Sequence, residues 1–344
     1  MNSPDKYTIT TPPFAVFIGS HISSVKRIEF LTETIYSLIK QTIPVGIYIS
    51  ISFDSKELEE IFKLKIAQSQ MVMSYSSFYA FFYFIRKEKT PQMKHLNLLC
   101  NQLRGSMYHP LPEWILFSDD DDTYVENRVE TFSKQIELCE HDIIQAKADP
   151  LRLVGLYETH DFGLNHKKQR HEYWCYCVRF SLLSDFFDKL SSYPDVIENK
   201  CCDIVFGEFL RRKKSTDLFS FIEGKFYNYR RENNTDSITG VIMTKKGVKI
   251  RTANPPSSED VAIVDYIIEL NDYLNVKENL DIYFHDTFLR TVVGCEFDDI
   301  LKSEFLADYP LLEYTDICHV EKLRVYYDWL RQICVSLYDE GFPT

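Results

Sequence analysis

The sequence predicts an α/β fold with a mostly parallel central sheet, flanked by helices, and a C-terminal helical extension. Two observations lead to this prediction. Continuous apolar runs alternate with amphipathic stretches through the first part of the chain, and the pattern becomes mainly helical after the Pro-Pro-Ser-Ser segment at 255–258. Strands buried on both faces read as continuous apolar runs, and strands that alternate with helices form parallel sheets.

The first strand is predicted over 14–18, where FAVFI is followed by Gly19. Ser23 or Ser24 can cap the next helix, and Pro44 lies just past its end. The apolar residues of this helix recur at a spacing that places them on one face: Ile28, Leu31, Ile35 and Leu38.

The alternation continues along the chain. The pattern predicts strands over 45–53, 71–75, 114–117 and 174–180, and helices over 56–68, 92–104, 182–190 and 203–212, with a further helix marked by Val129, Phe132 and Ile136. Residues 213–256 hold many turn-forming and basic residues and are predicted to form loops and short strands. Because strands and helices alternate in this order, helices are expected on both faces of the sheet.

The best boundary in the chain is the turn-rich segment at 254–258. At ~150 residues per domain, a chain of 344 residues suggests about two domains. We therefore predict a ligand-binding and catalytic domain over 1–254 and a helical region over 255–344. The helical patterns at 259–274 and 320–337 could cover a binding groove, form a homodimer or dock a partner.

Composition excludes several function classes. A net charge of -12 argues against binding to nucleic acid or to an anionic membrane surface, both of which require a basic face. The apolar run at 78–85 is far shorter than the ~20 residues that span a bilayer, and the N-terminus has no signal-peptide core. The nine cysteines include no CxxC pair and are interpreted as reduced thiols. These features predict a cytoplasmic protein, in the host cytoplasm if the protein is viral.

Four consecutive aspartates, Asp119 to Asp122, directly follow the predicted strand 114–117. Carboxylates placed side by side repel one another unless a cation relieves them, and the carboxyl ends of strands in open α/β sheets are where ligands bind. Hard carboxylate oxygens suit Mg²⁺ or Mn²⁺. A solvated acidic loop is the alternative, as is a Ca²⁺ loop, although the glycine and terminal glutamate of an EF-hand are absent.

The segments FAVFIGSHIS, VGIYISISFD and WILFSDDDDTYVENRVE, in this order, resemble the nucleotide-sugar-binding half of GT-A glycosyltransferases, most closely the large inverting family with a DxD motif. The resemblance implies Asp121 as the direct metal ligand. It implies Asp119 as a ribose contact or as a metal ligand through water, and it places Asp120 in the donor site. The first loop reads Gly-Ser-His-Ile instead of the family's Pro-Thr-Tyr-Asn.

Later segments extend the resemblance over roughly residues 12–240. The segment YWCYCVRF at 173–180 resembles the acceptor-side strand and places Trp174 on the acceptor side. The segment CDIVFGE at 202–208 resembles the start of the helix that carries the catalytic base, which implies Asp203 as the base. Alternatively, Asp203 is simply a helix N-cap.

Further donor-site candidates end strands or lie near the acidic turn. Ser20 and His21 could contact the nucleotide, and Asp54 could accept from the base or ribose or cap the next helix. Lys94 could reach a phosphate or be solvated. Arg230 could clamp the pyrophosphate or be a surface charge.

The function that the resemblance implies is metal-dependent transfer of a sugar from a nucleotide-diphosphate donor, most simply a UDP-sugar, to a glycan or other hydroxyl acceptor, with inversion. A sugar-nucleotide nucleotidyltransferase is an alternative, although the loop at 19–24 lacks the arginine and the glycines of its phosphate loop. A catalytically silent carbohydrate-binding protein of the same fold is a second alternative.

Overall fold

The computed structural model describes residues 12–106, 111–145, 153–159, 164–165, 170–230, 284, 287–301 and 317–338. The chain divides into two compact units, Met1–Arg230 and Arg231–Thr344. The boundary predicted between 254 and 255 lies outside the described residues.

The described part of the first unit begins with a strand–helix–strand motif: β1 (Phe14–Ile22), α1 (Val25–Ile39) and β2 (Gly46–Phe53). α1 begins after Ser24, whose side chain accepts a hydrogen bond from the backbone N–H of Arg27. Its buried face includes the four apolar residues that the spacing predicts. The first predicted strand, helix and strand are therefore confirmed.

The third predicted strand, over 71–75, is wrong. This segment lies in a short helix, α3 (Gln70–Ser76), which follows α2 (Lys56–Gln68) after one residue. Ser69 separates the two helices and caps the second by accepting a hydrogen bond from Val72 N–H. The third strand of the structure is β3 (Phe81–Arg86), in the aromatic run that follows.

The remaining elements that the structure describes in the first unit follow in chain order. They are α4 (Gln92–Arg104), β4 (Trp114–Ser118), β5 (Thr123–Tyr124), α5 (Arg128–Gln145), β6 (Leu153–Glu158), β7 (Leu164–Asn165), β8 (Arg170–His171), a 3₁₀ turn (Tyr173–Cys175), β9 (Tyr176–Arg179), α6 (Phe180–Leu190), α7 (Pro194–Ile197), α8 (Cys202–Thr216), β10 (Leu218–Ile222) and β11 (Tyr227–Asn228). The strand predicted over 174–180 thus begins with the 3₁₀ turn.

The described residues form a seven-stranded sheet in the order β10-β6-β9-β4-β1-β2-β3. Strands β4, β1, β2 and β3 run parallel, as do β10 and β6, and β9 is antiparallel to both of its neighbours. The prediction of a mostly parallel sheet in an α/β fold is confirmed. Since β1, β2 and β4 point the same way, their carboxyl ends share one edge of the sheet.

The core of the first unit is centred on the middle strands. Every residue of β4 is buried, as are eight of the nine residues of β1. Gly19 of β1 has α4 so close that an added Cβ would lie 2.9 Å from the carbonyl oxygen of Gln92 and 2.9 Å from Cβ of His95. This close approach places the first turn of α4 against the carboxyl end of β1.

In the second unit, residues 287–292, Phe297–Leu301 and Ile317–Tyr338 are helical. A small core, made of Phe297, Ile300, Leu323 and Tyr327, joins the second and third of these helices. The helix predicted over 320–337 is confirmed, and the one predicted over 259–274 lies outside the described residues. Within the part of the chain that is described, no helix has the length and hydrophobicity needed to cross a bilayer. The homodimer stays a prediction.

Candidate functional site

The four aspartates lie at the carboxyl end of β4, where the parallel strands leave an edge for ligands. Asp119, Asp121 and Asp122 each offer one carboxylate oxygen, and these three oxygens lie within 4.8 Å of one another. Asp120, Asp121 and Asp122 are buried, so the group is part of the folded interior rather than a solvated loop. The structure therefore brings together the two predicted ligands and adds a third carboxylate.

Asp122 is the most buried of the four, with 1% of its surface exposed. Its Oδ1 accepts a hydrogen bond of 2.7 Å from Arg230 N–H, whereas its Oδ2 is buried without a hydrogen-bond partner. Burial, followed by the charges of Asp119 and Asp121, raises the pKa of Asp122. An unsatisfied buried carboxylate oxygen beside two further carboxylates fits a divalent cation. Such a cation would offset the cost of burying the negative charge and the repulsion between the carboxylates.

Asp119 accepts hydrogen bonds from two side chains that were not among the predicted site residues. Its Oδ1 accepts a hydrogen bond of 2.5 Å from Nε2 of Gln92 and another from the Tyr173 hydroxyl. Gln92 Nε2 also donates to the Tyr173 oxygen at 2.7 Å. Burial and the neighbouring Asp121 charge raise the pKa of Asp119. Gln92 is the first residue of α4, so the packing of α4 against β1 determines where this carboxylate lies.

Asp120 faces the end of β1 and the start of α1. Its Oδ2 accepts a hydrogen bond of 2.6 Å from Ser20 Oγ, and its Oδ1 accepts one from Arg27. The same arginine donates through Nη1 to Oδ2 of Asp121 at 2.9 Å. Burial raises the pKa of Asp120, and the Arg27 charge opposes this increase. Ser20 and Asp120 are thus in contact, and their nucleotide-binding roles stay predictions.

Asp203 lies in the first turn of α8 and is half-buried. The N-cap of that helix is Cys201, so Asp203 is not the capping residue. Burial, followed by the charge of Glu172, raises the pKa of Asp203 to about 7. The charge of Asp203 in turn raises the pKa values of Asp119 and Tyr173. Asp203 therefore lies within electrostatic reach of the aspartate cluster, with Tyr173 interacting with both carboxylates.

His21 and Asp54 meet at the ends of β1 and β2. His21 Nε2 lies 2.9 Å from Oδ1 of Asp54, and its Nδ1 lies 2.9 Å from Ser52 Oγ. Behind them, Nδ1 of His95 lies 2.8 Å from Ser50 Oγ, and burial lowers the pKa of His95 to about 3. Burial also lowers the pKa of His21. The lowered pKa values favour neutral imidazoles, and His21 positions Asp54, whose contact with the nucleotide stays a prediction.

Arg230 lies over the aspartate cluster. Its Nε donates a hydrogen bond of 2.8 Å to the backbone oxygen of Asp121, and its backbone N–H donates to Asp122. Its guanidinium also pairs with Glu33 of α1. The alternative that Arg230 is only a surface charge does not account for these contacts, while its role as a pyrophosphate clamp stays a prediction.

Two other predicted site residues, Lys94 and Trp174, contact residues outside the acidic turn. Lys94 Nζ pairs with Oε1 of Glu198 at 2.5 Å. Trp174 is buried and stacks on the rings of Tyr227 and Tyr229, with centroids 4.4 and 5.5 Å away. Tyr227 also accepts a hydrogen bond of 2.9 Å from the backbone N–H of Asp119, so this stack supports the acidic turn. The phosphate role of Lys94 and the acceptor role of Trp174 stay predictions.

No protein-family model matches the sequence, and no curated protein matches it. Among solved structures, the chain is similar to the crystal structure of S. aureus TarS, with a TM-score of 0.41 and 14% identity over 94% of this chain and 54% of that one. It is also similar to the structure of TarS 1–349, with a TM-score of 0.37 and 15% identity over 93% and 88% of the two chains. The chain thus spans about half the length of the first TarS chain. Likenesses of this size assign neither a family nor an activity.

Proposed function

We propose that the protein is a metal-dependent glycosyltransferase of the GT-A type, which transfers a sugar from a nucleotide diphosphate to an acceptor hydroxyl with inversion. The observation that carries the proposal is the cluster of Asp119, Asp121 and Asp122 at the carboxyl edge of a parallel sheet, with Asp203 within electrostatic reach. A base and a cation site close together are what this reaction requires.

The chemistry of the three ligand side chains favours a hard divalent ion. Asp119, Asp121 and Asp122 present carboxylate oxygens to one point, and Oδ2 of Asp122 is buried without a hydrogen-bond partner. Such ligands would hold Mn²⁺ or Mg²⁺. When bound, the ion would act as a Lewis acid that neutralises charge on the departing diphosphate.

Asp203 takes the role of general base. The acceptor oxygen forms a bond to the anomeric carbon while the bond from that carbon to the diphosphate oxygen breaks, and its electron pair leaves with the diphosphate. The acceptor proton passes to the Asp203 carboxylate. Because burial raises the pKa of Asp203 to about 7, the carboxylate is a stronger base than a solvated aspartate and remains substantially ionised at neutral pH.

The polar groups at the ends of β1 and β2 would hold the nucleotide. Asp54, oriented by His21 at 2.9 Å, supplies acceptor oxygens for the base or ribose, and Ser20 supports Asp120 beside the cluster. Arg230 lies close enough to the acidic turn to bind phosphate oxygens. We propose a UDP-sugar donor and a glycan or other hydroxyl acceptor, in the cytoplasm.

The proposal is tested by incubating the protein with a panel of nucleotide sugars, once with Mn²⁺ and once with a chelator. Mass spectrometry then identifies the products. Release of nucleoside diphosphate that depends on Mn²⁺ and is lost in Asp121→Ala supports it. Turnover that requires added pyrophosphate, and that forms a nucleoside triphosphate and a sugar phosphate, would identify a nucleotidyltransferase instead. Carbohydrate binding without any turnover across the panel would identify a silent binding protein.

A further inference from the structure

Arg27 occupies an unusual position for a helix-surface arginine. It lies in the first turn of α1, and only 13% of its side chain is exposed. Nη1 lies 2.9 Å from Oδ2 of Asp121, and Nη2 pairs with Oδ1 of Asp120. One guanidinium therefore bridges two neighbouring carboxylates of the acidic turn, and one of these carboxylates belongs to the proposed cation site.

The charge of Arg27 acts on the cluster as a whole. Burial lowers the pKa of Arg27, but the charges of Asp120, Asp121 and Asp119 together outweigh this effect and raise it. Arg230 differs in this respect, because its side chain contacts a backbone oxygen of the turn and pairs with Glu33. Arg27 thus places a fixed positive charge directly on the carboxylates that would otherwise attract a cation.

We infer that Arg27 is a diphosphate-binding residue of the donor site and that its charge opposes cation binding by the same site. The inference rests on the proposed function. A guanidinium presents paired N–H donors that match carboxylate and phosphate oxygens equally well. The Arg27 guanidinium that donates to Asp120 and Asp121 is therefore also suited to bind a phosphate next to these carboxylates. The same positive charge repels a divalent ion.

The inference predicts changes of opposite sign in one variant. Arg27→Met removes the charge and keeps much of the apolar stem. Its affinity for Mn²⁺ alone should rise by on the order of tenfold, because a repelling charge has gone. Its affinity for inorganic pyrophosphate in saturating Mg²⁺ should fall by about 10- to 100-fold, which is the loss of a charge-assisted hydrogen bond. A residue with a merely structural role would weaken both affinities together.

Isothermal titration calorimetry measures both affinities on the full chain. Arg104→Met is the matched control, because Arg104 forms a partly exposed pair with Asp188 and the variant has the same net charge as Arg27→Met. This control should leave both affinities at wild-type values. Arg27→Lys keeps the charge and removes the paired N–H donors of the guanidinium. This variant should therefore bind Mn²⁺ like the wild type and bind pyrophosphate more weakly.

Parallel changes of the two affinities in Arg27→Met, or no change in either, would overturn the inference while leaving the proposed function intact. If Arg27→Met does not fold, the test is the pyrophosphate affinity of Arg27→Lys. An affinity equal to that of the wild type would overturn the inference. A wild-type protein that binds neither Mn²⁺ nor pyrophosphate would refute the proposed function, and the inference would fail with it.

Discussion

The buried ion pair between Arg128 and Glu158 supports the aromatic stack beneath the acidic turn. Both side chains are completely buried, and Nε of Arg128 donates to Oε1 of Glu158 at 2.6 Å. Nη2 of Arg128 donates to the backbone oxygen of Trp174 at 2.7 Å. The second glutamate oxygen accepts a hydrogen bond of 2.7 Å from Phe226 N–H. One pair therefore connects α5 and β6 to the segments that carry Trp174 and Tyr227.

Glu158→Gln should strongly destabilise the first unit. Both carboxylate oxygens accept hydrogen bonds, so an amide of the same shape must turn its NH₂ group toward one of the two donors. The substitution also leaves Arg128 as a buried charge without its counter-ion, and breaking a buried pair in this way costs about 3–5 kcal/mol. For a unit of 230 residues, that loss lowers the melting temperature by roughly 6–20 °C.

Thermal unfolding followed by circular dichroism measures this effect. Asp188→Asn is the control, because the Asp188 side chain is 61% exposed in its pair with Arg104. An exposed pair contributes about 1 kcal/mol or less, so this variant should melt close to the wild type. Equal melting temperatures for Glu158→Gln and Asp188→Asn would refute the reasoning that the buried pair supports the fold.

Three further predictions concern the site. Asp203→Asn should lower the transfer rate by about 10²- to 10⁴-fold and leave donor binding unchanged. The control Asp195→Asn, at an exposed position, should have no effect. Near-wild-type kinetics of Asp203→Asn would exclude Asp203 as the base. Since Asp203 must be ionised to accept a proton, the transfer rate should rise with pH through about 7 and then level off, whereas a rate that is flat from pH 5 to 9 would contradict this role. Gly19→Ala should weaken Mn²⁺ binding, measured by titration calorimetry, because its Cβ pushes Gln92 away from Asp119; unchanged affinity would show that this contact is unimportant.

The sequence was sufficient for the strand–helix–strand start and for the acidic turn. β4 is buried along its whole length and β1 at eight of its nine residues, so a continuous apolar run identifies these strands without knowledge of the fold. The segment at 71–75 shows where this reasoning fails. Its short apolar run is compatible with either helix or strand, and the Ser69 cap and the contact of the Tyr75 hydroxyl with Val45 favour the helix.

The supporting side chains of the site were not predictable. Arg27 and Gln92 are single polar residues on amphipathic helices, and their partners in the acidic turn lie 94 and 27 residues away along the chain. No local pattern distinguishes them from solvated helix residues. Asp122 stood in the acidic run, but only the fold shows that it is the most buried of the four aspartates and that one of its oxygens has no hydrogen-bond partner.

The most direct test of the account compares nucleoside diphosphate binding by the wild type and by Asp121→Ala, with Mn²⁺ and with chelator. The wild type should bind tightly in Mn²⁺ and lose that affinity in chelator, because Asp121 belongs to the three-carboxylate cluster. Asp121→Ala should bind weakly under both conditions, and the exposed Asp195→Ala should behave like the wild type. Nucleotide binding that neither the chelator nor Asp121→Ala changes would contradict the assignment of this cluster as a metal-dependent donor site.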